Sequence, residues 1–312
     1  MNKIYIIGGA NIDIQGVSVN DIKLYDSNIG KISYSYGGVA RNIAENLSRL
    51  ANEVSFISVF AQDEFGKQLL QNCHELNIDT SMSIIDPKAV SSVYLAVLDN
   101  NCDMLVGIVD MDILKKMTKL HLSQVLREID RNDILVIDTN LEKEIIHYIL
   151  TNVGCPVYVD PISTVKSEKI RDELKYITML KPNRLEAEYL SGIMIKDKES
   201  AYQVLEYFLS HGLKEIIITL GKDGIIASDG NEYTWFFPPT CEIVSATGAG
   251  DAFLAGYIDA KIHKMNLFEA IKQSCLLAEL TLKSEQTVSK SITRSNITAM
   301  LQDYQMENEI IT

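Results

Sequence analysis

VSATGAGDAFLAG (Val244–Gly256) places three small residues, Gly248, Ala249 and Gly250, directly before one acid, Asp251, and then runs into a helical pattern. Small residues let successive main-chain N–H groups converge on one point, and a helix N-terminus adds positive partial charge there. An anion belongs in such a place. Asp251 is itself an anion, so a permanently bound carboxylate or phosphate beside it would be repelled unless the acid takes part in chemistry. Deprotonating a hydroxyl that attacks a phosphate is chemistry of that kind. Taken alone, the stretch also reads as an ordinary glycine-rich turn capping a helix.

The surroundings of this stretch set the fold. Short β-rich runs alternate with helical patterns, beginning Lys3–Ile7, Val39–Leu50, Val54–Val59, Phe65–Glu75 and ending with Gly250–His263. Repeated strand-then-helix order predicts an α/β protein with a mostly parallel central sheet covered on both faces, whose active site lies beyond the carboxyl ends of the strands. The runs DILVIDTN (133–140), VYVDP (157–161), MLKPN (179–183) and EIIITLGKDG (215–224) end in polar or turn residues, so chemistry is expected at those tips. Ile14–Tyr36 and Val90–Val109 break the rhythm with alternating patterns and no helix, the second as a hairpin turning at Asp99–Asn101. Together they predict a small β lid from about 14–36 and 90–109, or a plain β-extension, on a single domain spanning 1–312.

With 312 residues, the chain can bury a substantial core, and 46% hydrophobic with 23% charged residues is ordinary globular composition. A formal charge of −13 argues against a nucleic-acid polymer as partner, though not against a nucleotide. Cys73, Cys102, Cys155, Cys241 and Cys275 form no CxxC pair, which fits a reducing compartment, and the histidines show no metal-ligand spacing. A strand pattern from the first residues leaves no room for a signal peptide, and no apolar run is long enough for a bilayer. A cytoplasmic protein without membrane contact is the expectation.

Two further stretches carry candidates. In YSYGGVARNIAENLSRL (34–50), Gly37 and Gly38 open a helix whose first turn presents Asn42, suited to hydrogen bonding vicinal hydroxyls. GGANID (8–13) ends a strand with Asp13, an acceptor for sugar hydroxyls. A tight turn with a solvated Asn42 and a capping Asp13 are the plainer alternatives.

GGANID, GGVARNIAENLSRL (37–50), KPNRLEAE (181–188) and TGAGDAFLAG (247–256) follow the order and rough separation of motifs in the ribokinase-like (PfkB) carbohydrate kinases. The chain resembles that family from Ile4 to about Ser289. The resemblance implies a three-layer α/β/α fold with a β lid, and an ATP- and Mg²⁺-dependent kinase. It implies Asp251 as general base, with the N–H groups of Ala249, Gly250 and Asp251 as the anion hole and Thr247 and Gly248 at the same phosphates. Asn183 and Glu186 would organise Mg²⁺ and its waters; Thr219, Gly221 and Gly224 would hold the nucleotide; Asp13, Gly38 and Asn42 would hold the sugar.

Within the family, Val39 stands where ribokinase usually has Lys, and the wording looks like the pseudouridine kinase subfamily. SSVYLAVLDNNCDMLVGIVDMDIL (91–114), DTNL (138–141) and VDPISTVK (159–166) are similar to that subfamily's segments. The resemblance implies that Ser92, Tyr94, Asp110 and Asn140 meet the base and that Lys166 neutralises phosphate charge; solvated side chains and a capping Asp are the alternatives. Two stretches depart from the family pattern. Ser245, followed by Ala246, replaces an Asp that binds a monovalent cation in many relatives, so K⁺ activation does not carry over except through backbone carbonyls. SEQTVS (284–289) lacks the Gly-Ala found near adenine. The expected reaction is phosphorylation of the pseudouridine 5′-hydroxyl. The rivals are a kinase for another ribonucleoside or for ribose or fructose, and a non-catalytic nucleoside sensor. KISYSY (31–36) is a candidate edge for a homodimer through the lid.

Overall fold

In the computed structural model, which describes residues 3–311, the run IYII forms strand β1 (Ile4–Ile7) with every side chain buried. A continuous apolar run of this kind needs cover on both faces, and neighbours on both edges. The next elements are β2 (Asn11–Ser18), β3 (Gly30–Gly37), helix α1 (Val39–Arg49), β4 (Val54–Ile57), β5 (Val59–Ala61) and α2 (Glu64–Glu75). Then come β6 (Ile84–Asp86), β7 (Val93–Leu98), β8 (Met104–Asp110), α3 (Lys119–Val125), β9 (Ile134–Asp138), α4 (Lys143–Asn152), β10 (Val157–Asp160) and the single turn α5 (Thr164–Ser167). β11 (Met179–Leu180), α6 (Arg184–Ser191), α7 (Lys198–Ser210), β12 (Glu215–Thr219), β13 (Ile225–Ser228) and β14 (Tyr233–Phe237) follow. The last are α8 (Ala249–Ile262), α9 (Leu267–Leu282), α10 (Arg294–Asp303) and β15 (Glu307–Ile310).

The main sheet has nine strands in the order β15-β14-β13-β12-β11-β10-β9-β1-β4. From β12 to β4 the pairing is parallel, whereas β13, β14 and β15 add an antiparallel edge. Alternate residues sort to opposite faces, as strand geometry requires. Tyr5, Ile7, Leu135 and Ile137 pack with α3, α4, α6 and α7. Ile4, Ile6, Ile134 and Val136 pack with α1, α2, α8 and α9. The result is the three-layer α/β/α architecture, with the carboxyl ends of β12, β11, β10, β9 and β1 opening side by side. No helix among the described residues is long and apolar enough to cross a membrane.

A second sheet, β3-β2-β7-β8, stands off the first. The β7–β8 turn is held by Asp99, whose Oδ1 accepts from the N–H groups of Asn101 (2.8 Å) and Asp103 (2.9 Å). Register divides its faces: Asp13 lies opposite Ser35 and Tyr94, and Tyr94 opposite Val109. The other face carries Tyr34, Ile14, Leu95 and Ile108, of which Tyr34 and Ile108 are 60% and 59% exposed. The face of Asp13 carries the polar Gln15, Ser33, Ser35 and Tyr94 beside Val109; on the other, Ile14 packs against the core while Tyr34 and Ile108 are exposed.

Several details were not expected from the sequence. The run Val54–Val59 splits at Ser58, whose hydroxyl donates to the Gly8 carbonyl at 2.7 Å and whose N–H donates to Ser83 Oγ at 3.0 Å, so β5 leaves the main sheet to pair with β6. Helix α9 and the edge strands β14 and β15 were also not singled out. The turn into α1 shows why two glycines stand together: Gly38 has φ 99°, and a Cβ there would collide with the Gly9 carbonyl, while a Cβ at Gly37 would collide with the Asp13 carboxylate. Gly38→Ala is therefore expected to lower stability by about 2–4 kcal/mol, from positive-φ strain plus the collision. A thermal melt checks this, and an unchanged midpoint would show that the turn is not so constrained.

Candidate active site

Helix α8 begins where Gly248, at φ 82°, turns the chain in a conformation that glycine adopts without strain. A Cβ at that position would strike the Thr287 carbonyl, so the loop after α9 presses on this turn. Ala252 N–H is the donor that closes the first turn, onto the Gly248 carbonyl at 2.9 Å. The N–H groups of Gly250 and Asp251 precede it and point out of the helix end, and Ala249 N–H makes only a 3.5 Å contact with the Ala246 carbonyl. The arrangement offers donors and positive partial charge to an anion.

Asp251, on the first turn, is buried. Its Oδ2 accepts from Asn42 Nδ2 of α1 at 2.8 Å. Asn42 Oδ1 in turn accepts from Arg41, so the amide has one remaining Nδ2 hydrogen for a substrate hydroxyl. Opposite Asp251 lies a buried ion pair, Lys181 Nζ to Asp160 Oδ2 at 3.0 Å. Burial, then the neighbouring Asp160 carboxylate, pushes the Asp251 carboxyl up to about 7, against the pull of Asn42, Lys181 and Arg41. With protein groups alone Asp251 is poised near neutrality. Burial would depress the Lys181 ammonium, but Asp160, Glu186 and Asp251 outweigh it and hold it above its ordinary value.

On the β1 and β9 side, Asp13 accepts from Asn11 Nδ2 at 2.5 Å, and burial raises its carboxyl. Asp138, at the end of β9, accepts from the N–H groups of Gly9 (3.0 Å), Ala40 (3.2 Å) and Asn140 (2.9 Å). Asn140 Nδ2 also donates to Asp138 at 3.1 Å, and Lys166 Nζ donates to Asn140 Oδ1 at 2.6 Å. Lys166 therefore stands with Asn140 at the β9 tip. Burial lowers its ammonium. Ser92 Oγ is buried without a hydrogen-bond partner among the described residues. Tyr94, two residues on, shares the face of Asp13, and its hydroxyl reaches Met104 Sδ at 3.1 Å. Asp110 pairs with Val93, on the opposite face from Asp13, and its carboxylate accepts from Asp112 N–H. Its neighbour Met111 is the one that lies against Gly9, where a Cβ would be 2.5 Å from Met111 Cε and 2.9 Å from Asn140 Nδ2.

On the β11 and β12 side, Asn183 and Glu186 form a capping box at the start of α6: Glu186 N–H donates to Asn183 Oδ1 at 3.0 Å and Asn183 N–H donates to Glu186 Oε2 at 2.8 Å. A helix-capping role alone would explain both residues. Yet burial, with Asp160 nearby, raises the Glu186 carboxyl. Asp160, Glu186 and Asp251 thus face one ammonium, Lys181, and this excess of buried oxygen anions suits a hard cation. No three His, Cys, Asp or Glu side chains converge as a ready-made metal cage among the described residues. Mg²⁺ in kinase sites is commonly held by one or two carboxylates, waters and substrate phosphates, so the donor set fits it. Thr219 N–H donates to the Pro182 carbonyl at 3.1 Å, which brings the β12 tip beside Asn183. Gly221 (φ 63°) faces open space, whereas Gly224 (φ 95°) is forced by close packing on the Phe236 carbonyl. Thr247 N–H contacts Ser245 Oγ at 3.3 Å, a turn closed by a neutral hydroxyl.

Asp160, Lys181 and Arg41 were missed. The first two end the apolar runs VYVD and MLK at strand tips already flagged for chemistry, and that signal could have found them. Arg41 gave none, because an arginine on a helix is ordinarily read as solvated.

Residues 1–294 match the description pfkB family carbohydrate kinase. The pseudouridine kinase of Escherichia coli K12 is 36% identical, over 98% of each chain. The guanosine-inosine kinase of Exiguobacterium acetylicum is 28% identical over 92% of this chain and 96% of its own. Among solved structures, a carbohydrate kinase from Agrobacterium tumefaciens superposes with a TM-score of 0.85 at 28% identity, over 99% of this chain and 100% of that one. With its glycine-rich helix start, its buried acid and its strand tips ordered along one edge, this chain belongs to the pfkB family of carbohydrate kinases, phosphotransferases acting on an alcohol.

Proposed function

We propose that the protein transfers the γ-phosphoryl group of ATP to the 5′-hydroxyl of pseudouridine, giving pseudouridine 5′-phosphate and ADP. The observation that carries this reading is Asp251, buried at the positive end of α8 and held by Asn42. In the reaction the O5′–Pγ bond forms as the bond from Pγ to the β,γ-bridging oxygen breaks, and Asp251 accepts the hydroxyl proton. The Gly250 and Asp251 N–H groups meet the charge on the transferring phosphoryl, and Lys181 adds a cation beside them. Glu186 and Asn183 would hold Mg²⁺ through water, and the ion supplies charge neutralisation at the phosphates when bound. Ser245 supplies no carboxylate for a monovalent cation, and no step depends on one.

Asp13, Gly38 and Asn42 belong to the ribose side in this reading. Ser92, Asn140 and Lys166 offer a hydroxyl, an amide and an ammonium for the carbonyls and N–H groups of the base, and the 36% identical pseudouridine kinase supports that base. The apolar outer face of the lid sheet, with Tyr34, Leu95 and Ile108, supports a homodimer through that face. Ile108→Asp is then expected to convert a dimer into a monomer in sedimentation analysis; a wild type that is already monomeric at high concentration excludes this interface.

An ADP-release assay on pseudouridine, uridine, guanosine, inosine, ribose and fructose tests the substrate. Pseudouridine is expected to give the highest kcat/KM; ribose or fructose turned over far better would refute the assignment, and release with none of them would favour a non-catalytic sensor. Asp251→Asn is expected to lower kcat by ~10³-fold or more while nucleoside binding stays within a few-fold, because the proton transfer is a transition-state interaction. Equal loss of binding and rate would point to a structural role. The raised carboxyl also makes a stability prediction. With a folded pKa near 7 and an ordinary value of 3.8, Asp251 is tolerated below about pH 4 and penalises the fold progressively as pH rises from there to about 7, with no further change above. Asp251→Asn is therefore expected to be the more stable protein at pH 8, by up to about 4 kcal/mol, with the gain vanishing near pH 4. Melting midpoints of both proteins across that range check it, and a gain largest at low pH would contradict it.

A further inference from the structure

Arg41 is among the most deeply buried large side chains, 1% exposed although it lies on a helix of a protein with ample solvated surface. Its guanidinium is fully engaged. Nε donates to the Gly37 carbonyl at 3.2 Å, Nη2 to the Tyr36 carbonyl at 3.2 Å and to Asn42 Oδ1, and Nη1 to Glu45 Oε2 at 2.7 Å and Asn72 Oδ1 at 3.1 Å. Glu45 is bonded as well to Arg49, at 2.8 and 2.7 Å, so a single cation would have sufficed to pair it. What Arg41 adds is the link to Asn42 and to the last two carbonyls of lid strand β3.

We propose that Arg41 is a positioning residue for phosphoryl transfer, locking the Asn42 amide so that its NH₂ faces Asp251 and tying that lock to the root of the lid. Without a donor on Oδ1, the Asn42 amide is free to turn and present oxygen to the Asp251 carboxylate, which repels it. Arg41 is not itself within reach of a substrate; it acts through Asn42 and through its field. The charged groups facing Asp251 are Asp160 from β10, Lys181 after β11 and Arg41 from α1, with Glu186 of α6 behind Lys181. Arg41 also bears on Asp13. It is thus the one cation named here that favours the ionised form of both acids flanking the expected position of the hydroxyl. This inference rests on the kinase reading above.

The test compares Arg41→Lys and Arg41→Gln with Arg49→Gln, which removes the other partner of Glu45 and serves as the control for packing. Each is measured for melting midpoint, for kcat and KM against the best substrate of the panel, and for the pH dependence of kcat. Arg41→Lys keeps the charge and loses the fork, so kcat is expected to fall about tenfold with the acid limb in place. Arg41→Gln is expected to fall about 30-fold or more with KM for ATP within about threefold, and its acid limb to move to higher pH. Arg49→Gln is expected to lower the midpoint and move neither kinetic readout. Arg41 variants that keep kcat within threefold with an unmoved limb, or an Arg49→Gln that reproduces their effect, overturn the proposal. If Arg41→Gln does not fold, Arg41→Lys decides. A crystal structure of Arg41→Lys gives a readout independent of turnover: the Asn42 amide is expected to have turned or left Asp251, and an unchanged 2.8 Å contact overturns the lock even if the wild type phosphorylates nothing on the panel.

Discussion

A single hydrogen bond, Asn42 Nδ2 to Asp251 Oδ2, joins helices whose residues lie 209 positions apart in the chain. It matters because Asp251 is a carboxylate where a carboxylate is expensive: buried, beside Asp160, and relieved only by Lys181, Arg41 and one amide. The positive end of α8 compensates part of that expense and at the same time creates the anion site. The same burial that destabilises the ionised acid brings its affinity for a proton close to neutrality, where the base proposed for phosphoryl transfer would have to work.

The order of strands in the main sheet arranges the remaining groups along one edge. β1 leads through the Gly8–Ala10 turn to Asp13 on β2, and β9 presents Asp138 and Asn140; β10 and β11 present Asp160 and Lys181; β12 presents Thr219 next to Asn183. Acceptor alcohol, transferring phosphoryl and nucleotide would then lie in that sequence along the strand tips, with α8 and α1 above the middle. Asp13 lies on β2 of the second sheet, so that sheet and the proposed acceptor side share a strand.

Much of this was legible before coordinates. Gly248, Ala249 and Gly250 before a helical pattern indicated main-chain N–H groups gathered at a helix start, and the interrupted rhythm at 14–36 and 90–109 indicated strands outside the main sheet. What sequence could not supply was direction. Asp110 and Met111 are neighbours, and only the register of β8 against β7 decides that the methionine, not the acid, turns to Gly9. Lys166 is one turn into a short helix, and only the path of that turn sets it against Asn140. Asn183-x-x-Glu186 has two readings at once, as a cap and as a place for a cation, and the pattern of letters is identical for both. Arg41 was illegible for a different reason: its partners are mainly carbonyls and amides, which leave no charge pattern in the sequence beyond Glu45.

The most direct measurement of the central claim is a crystal structure with pseudouridine and a non-hydrolysable ATP analogue bound together. The account predicts the 5′-oxygen within about 2.6–3.2 Å of the Asp251 carboxylate, with the terminal phosphate on the N–H groups of Gly250 and Asp251. A 5′-oxygen out of reach of Asp251, or a terminal phosphate bound away from the start of α8, would contradict it.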